Sequence, residues 1–191
     1  MPERNRRRPQ VAAALIFLSM LSAGARAEVT AAAENGFHIR VVTEVAADRG
    51  NVYRIAVEEV GSWWHSDHTM TGFAENLFIE NRVPGCFCEN LGEGARFAHM
   101  SVTWISPGSV LRLTGGLGPL GLMGVNGNMT WEFEEAGEGT RVTLKYAVGG
   151  FHADDEGKGL AAIAPAVDFV LTEAMTRLKT YVETGTPTPE S

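Results

Sequence analysis

Basic residues are scarce in this chain once its first segment is set aside. Residues 1–27 hold five of the 16 basic residues and one of the 23 acidic ones, so the remainder carries 11 basic against 22 acidic. A balance of that sign counts against nucleic acid and anionic membrane as partners, since both reward basic patches. Cysteine is nearly absent too: Cys86 and Cys88 are the whole thiol inventory. The longest apolar run, 11–21, falls short of the about 20 residues a bilayer-spanning helix needs, so no stable membrane insertion is expected. No internal repeat is visible, and no serine–histidine–acid motif, phosphate loop or metalloprotease helix occurs.

What is present begins with an export signal. Arg4, Arg6, Arg7 and Arg8 form a basic n-region, Val11 to Leu21 an apolar h-region, and Ala25-Arg26-Ala27 a small-x-small cleavage site. Pro9 and Gln10 stand where a twin-arginine signal wants a hydrophobic pair. The expected organisation is a signal peptide at 1–27, a linker at 28–36, one domain at 37–183 and a disordered tail at 184–191. The expected location is periplasmic or secreted.

Residues 37–45 alternate, with Phe37, Ile39, Val41, Thr43 and Val45 on one face, and read as a half-buried strand. Asp48-Arg49-Gly50-Asn51 can cap a short helix carrying Ile55, Ala56 and Val60. Trp63-Trp64 follows in a second short helix, where adjacent side chains cannot both face inward. One tryptophan is expected to plug the core and the other to edge a cavity or the surface.

Six strand-like runs come next, at 72–80, 84–90, 96–106, 109–115, 125–134 and 140–149, separated by glycine and proline turns. Met129, Trp131 and Phe133 alternate with polar residues, as do Val142, Leu144, Tyr146 and Val148. Short turns and one apolar face imply an antiparallel, one-sided sheet. Its cover must be 160–183, where Leu160, Val167, Leu171, Leu178 and their neighbours recur at helical spacing. Pro165 marks the start of that helix or a kink in it.

Each candidate site has a plainer reading. Gly116-x-Gly118-x-x-Gly121 matches the dinucleotide fingerprint by letter, but a strand rather than a helix is expected after it. Residues 115–124 read better as a glycine-rich apolar loop, either a gate over the cavity or a plain packed connection. His65, His68, Cys86 and Cys88 offer metal-ligand atoms without a recognised spacing, so no metal is assigned and no cofactor is implied. On a regular strand the two sulfurs lie about 6–7 Å apart, which argues against a bridge between them. A tight, symmetrical turn at 92–94 makes Glu89 and His99 diagonal neighbours, a candidate catalytic acid–base pair. The same register puts Cys86, Cys88, Met100, Val102 and Trp104 on the more apolar, interior face and turns Glu89 and His99 outward. A one-residue bulge would reverse that outcome.

One strand, two short helices, six strands and a long closing helix resemble the SRPBCC superfamily (START-like and polyketide-cyclase-like domains). The resemblance rests on Trp63-Trp64, Gly85-Cys86-Phe87-Cys88-Glu89, Pro107-Gly108 and the helix from about Pro165. It implies an α+β helix-grip fold: an antiparallel curved sheet of about seven strands wrapped around the C-terminal helix, with a cavity between them. It carries no catalytic residue over, because that superfamily has no shared catalytic motif. The leading expectation is an exported binder of a small hydrophobic or amphipathic molecule. Trp63, Trp64, Trp104, Trp131 and Tyr146 would line its cavity, with Leu117, Leu120 and Met123 from the glycine-rich loop. The alternative is a cyclase-, dehydratase- or hydrolase-like enzyme using Glu89 and His99, and a metal or redox role for Cys86 and Cys88 ranks last.

Overall fold

A computed structural model describes residues 25–152 and 158–190. The basic and apolar parts of the expected export signal lie outside them.

Among the described residues, eight strands form one sheet: β1 (Arg26–Ala33), β2 (Gly36–Val45), β3 (Leu77–Ile79), β4 (Gly85–Gly92), β5 (Ala95–Ser106), β6 (Val110–Thr114), β7 (Asn126–Ala136) and β8 (Gly139–Gly149). Their spatial order is β1-β2-β8-β7-β6-β5-β4-β3, and every neighbouring pair runs antiparallel. Between β2 and β3 come α1 (Arg49–Glu58) and α2 (Val60–Trp63). A one-turn helix, α3 (Pro119–Leu122), precedes β7, and α4 (Ala164–Thr184) closes the domain. The architecture is α+β, a mostly antiparallel sheet with a C-terminal helix, compatible with a helix grip.

Local chemistry accounts for the helix ends. The Asp48 carboxylate accepts from the backbone N–H groups of Gly50 (2.9 Å) and Asn51 (3.2 Å), capping α1. Pro165 stands in the first turn of α4, where its missing N–H costs nothing. Gly185 ends α4 at φ 80°, a left-handed conformation that glycine adopts without penalty.

The core follows the alternation of β2, β7 and β8. Phe37, Ile39, Val41, Met129, Trp131, Phe133, Leu144 and Tyr146 are all buried, and Leu171, Met175 and Leu178 of α4 pack with them. Tyr53 of α1 meets Phe133 edge-on at 5.2 Å, which ties α1 to β7.

Four expectations need correction. Residues 28–36 are no plain linker: most of them belong to β1, which pairs with β2 from Arg26↔Val42 to Ala33↔Gly36 and brings the strand count to eight. Run 72–80 shrinks to the three residues of β3, preceded by a 3-10 turn at Ala74–Asn76. The glycine-rich loop holds α3. A Cβ on Gly116 would stand 2.4 Å from the Gly121 nitrogen, so the tight turn itself requires glycine there. The described tail, 185–190, is bonded to the domain: Arg177 of α4 donates to the Thr188 carbonyl and to Glu190, and Glu190 accepts from Ser66 N–H at 3.0 Å.

Candidate functional site

Two bulges in β5 shape the site. Phe87 pairs with Met100 but Cys88 pairs with Ala98, so His99 is an extra residue in β5. A second shift lies between Val102 and Trp104. The first bulge turns His99 inward beside Met100; the second turns Trp104 outward.

Phe87 and Glu89 of β4 therefore face the interior together with His99. Glu89 is fully buried and His99 is 4% exposed. His99 Nε2 stands 3.1 Å from Glu89 Oε2. The outward placement expected for this pair is reversed by the bulge. Glu89 also accepts from the backbone N–H of Met70 at Oε2 (2.8 Å) and of Thr71 at Oε1 (2.7 Å). Burial pushes its pKa up, yet the hydrogen bonds from Thr71, Met70 and His99 outweigh burial and hold it below the ordinary value. Burial pushes the His99 imidazole down, and Glu89 only partly opposes it. An ionised carboxylate only accepts, so in the neutral imidazole Nε2 carries the proton and Nδ1 is the acceptor. The rings of Phe87 and Phe97 pack against the imidazole, with centroids 5.3 and 4.8 Å away.

His99 opens onto a cavity of about 270 Å3. Its inner wall is Trp64, Leu77 and Phe87; the glycine-rich loop supplies Leu117, Gly118, Pro119, Leu120 and Met123. The α4 side supplies Ile163, Ala166, Val167 and Val170, and Asp67, His68, Thr69 and Met70 complete the rim. Met70 and Met123 are also exposed to solvent, which places them at the mouth. The lining is apolar apart from the rim residues and His99.

Trp64, Leu117, Leu120 and Met123, all named from the sequence, line this cavity. The other four aromatic candidates do not. Trp63 plugs the core, donating from Nε1 to the Ile55 carbonyl at 3.2 Å and packing 6.0 Å from Trp131. Trp131 is wholly buried in that core. Trp104 lies on the outer face under the Arg112 guanidinium, 4.8 Å from its ring centre. Tyr146 acts from behind: its hydroxyl donates to the Gly115 carbonyl (3.1 Å) and accepts from Leu117 N–H (3.0 Å). It fixes the loop instead of touching the cavity.

Cys86 and Cys88 are joined in a disulfide with Cα atoms 5.4 Å apart. The spacing argument assumed a regular strand; beside the bulge the separation falls inside the range a bridge tolerates. The bridge lies on the face opposite Phe87 and Glu89. The paired sulfurs are not thiolate ligands, and His65 and His68 instead share the Glu173 carboxylate at 3.7 and 2.8 Å. Among the described residues, no group of three or more His, Cys, Asp or Glu could hold a metal ion.

Leu77, Phe87, Ile163, Val167 and Val170 escaped the sequence reading as cavity residues. Each sits in an apolar pattern that reads equally well as core. Only the meeting of three chain segments makes them walls.

No protein-family model matches the chain, and no curated protein matches it. Solved structures do match. A protein of unknown function from Enterococcus faecalis superposes with a TM-score of 0.57 over 84% of this chain and 79% of its own, at 16% identity. An uncharacterized protein from Rhizobium leguminosarum gives 0.56 over 84% and 98%, also at 16% identity. A protein from Staphylococcus saprophyticus gives 0.54 over 81% and 97%, at 17% identity. At such identities the likeness is one of fold.

Proposed function

We propose that this chain is an exported binder of a small hydrophobic or amphipathic molecule, with an SRPBCC-type domain as its scaffold. The observation that carries this reading is the apolar cavity of about 270 Å3 beneath α4 and the 115–124 loop. That volume sits just below the usual range of about 300–1,000 Å3, so the ligand is small. The arrangement has the composition of a ligand pocket: apolar walls, few polar groups and a mouth edged by flexible methionines. The Cys86–Cys88 bridge suits an oxidising compartment and so supports the export reading.

Native mass spectrometry of the mature protein from its own compartment, before and after organic extraction, tests the binding reading. A retained, extractable small molecule supports it. A protein that arrives empty and takes up no apolar probe overturns it.

The buried Glu89–His99 pair at 3.1 Å favours a second reading, acid–base turnover of the cavity's occupant. His99 lines the cavity and Glu89 stands behind it, the order a base and its orienting carboxylate require.

A further inference from the structure

On the outer face of the sheet, basic residues gather against the trend of an acidic chain. Arg40 of β2 is registered against Lys145 of β8, Lys145 against Thr130 of β7, and Thr130 against Arg112 of β6. Their chain neighbours Ile39, Leu144, Met129 and Leu113 are buried in the core, so this row points outward. Like charges placed directly opposite on adjacent strands destabilise a sheet, and Arg40 and Lys145 are such a pair. The row holds three of the eleven basic residues that follow position 27.

The carboxylates nearby leave much of this charge uncompensated. Glu132 takes two hydrogen bonds from Lys145 Nζ, at 2.9 and 2.7 Å. An ammonium has three N–H donors, so one remains. Glu28 is registered opposite Arg40, yet among the described residues the Arg40 guanidinium makes no ion pair or hydrogen bond. Arg112 donates from Nε to Thr130 Oγ1 at 3.2 Å and lies over the Trp104 ring, with no carboxylate partner among the described residues. An open groove of about 520 Å3 runs between the two arginines. Its lining includes both of them, Lys145, His38, Asn128 and Thr130, and no carboxylate.

We infer that this face docks an acidic peptide segment of a partner protein, lying extended across the strands with carboxylates at alternate positions. The inference is separate from the cavity reading, because the groove lies on the opposite side of the sheet. Arg40 and Arg112 stand three strand spacings apart, about 14 Å between backbones. Carboxylates at i and i+4 of an extended chain are about 13–14 Å apart and project to the same side. The middle carboxylate, at i+2, falls between Lys145 and Thr130. Guanidinium groups meet carboxylates through paired N–H bonds, which suits an arginine at each end.

Other anions suit the face less well. Arg112 is held by Thr130 and Trp104, so a lone phosphate or carboxylate meets one guanidinium at a time. A dense polyanion would press against Glu28 and Glu132, which border the row, and against the net negative charge of the chain. A peptide with a neutral residue between its acids spaces its charges to the cations and spares those contacts.

The test uses the full mature chain and two rhodamine-labelled peptides, Glu-Ala-Glu-Ala-Glu and Gln-Ala-Gln-Ala-Gln, followed by fluorescence anisotropy. The acidic peptide should bind about tenfold more tightly at low salt, and the preference should shrink as salt is added. Arg40→Gln and Arg112→Gln should each weaken its binding about fivefold. Arg141→Gln, at a surface arginine already paired with Glu44 and outside the groove, should leave it unchanged. The wild-type comparison of the two peptides decides the matter even if a variant does not fold. Equal binding of both peptides overturns the inference, and so does an equal loss in all three arginine variants. Inorganic polyphosphate that displaces the acidic peptide and binds more tightly through the same two arginines also overturns it, and makes the face a polyanion site.

Discussion

The Arg177 guanidinium reaches from α4 to the last turn of α2, donating from Nε to the carbonyl of Trp63 at 2.9 Å. From Nη2 it donates to the carbonyl of Trp64 at 3.3 Å. These are helix-end carbonyls with no partner inside α2. The same group holds the tail through Thr188 and Glu190. Arg177 is 4% exposed, so its charge is satisfied by protein alone.

Replacing Arg177 by Met keeps the length and removes every donor. The expected cost is about 3 kcal/mol, from hydrogen bonds to a charged group lost and carbonyls left dry. Urea unfolding followed by tryptophan fluorescence measures it. Glu190→Gln, at an exposed partner, should cost less than about 1 kcal/mol. Equal costs for the two variants would refute this division of roles.

Tyr146→Phe should loosen the 115–124 loop while leaving the core filled. Two hydrogen bonds go, for a loss of about 1–3 kcal/mol, and apolar probes should leave the cavity faster. Burial pushes the Tyr146 hydroxyl up to about 12. A phenol whose folded pKa exceeds its unfolded value of 10.0 contributes stability that is whole below pH 10. That stability is lost as pH rises toward 12. The wild type should therefore lose stability over this alkaline window, and Tyr146→Phe should lose less across it.

Acid acts on the buried pair. His99 has a folded pKa below its ordinary 6.5, so between those two values the unfolded chain holds a proton that the folded chain refuses. Stability falls as pH drops below about 6.5 and levels off beneath the folded value. Glu89, also lowered from 4.5, contributes stability that is present above that value and lost as pH falls through its folded pKa. Denaturant midpoints measured from pH 7.5 down to 3 should show both declines. His99→Gln should remove the upper one.

The Cys86–Cys88 bridge closes a very short loop, so its chain-entropy effect is only about 1–2 kcal/mol. Unfolded protein should resist iodoacetamide until a reductant is added. The double serine variant should still fold, with a small drop in urea midpoint.

How far the sequence could be read depends on where its strands are regular. β2, β7 and β8 pair without any register shift between them, and there alternation identified the inner face residue by residue. β5 carries two shifts, and there it failed, setting His99 and its partner Glu89 outside and Trp104, Cys86 and Cys88 on the interior face. A single extra residue inverts every parity argument beyond it, and nothing in Phe97-Ala98-His99-Met100 announces one. The closing helix was legible because Pro165 and a long apolar stripe leave few alternatives. β1 was not, since Arg26–Ala33 is mostly alanine and charge, and its strand character comes from β2 beside it.

That pairing has a consequence for processing. The expected cleavage point, after Ala27, lies within β1, where Ala27 is registered against Val41 and Glu28 against Arg40. A peptidase needs an extended, unoccupied segment, and a strand zipped into a sheet is not one. For an exported chain cut at that bond, the order of events is constrained: the leader departs while β1 is still loose, and the sheet gains its last edge afterwards.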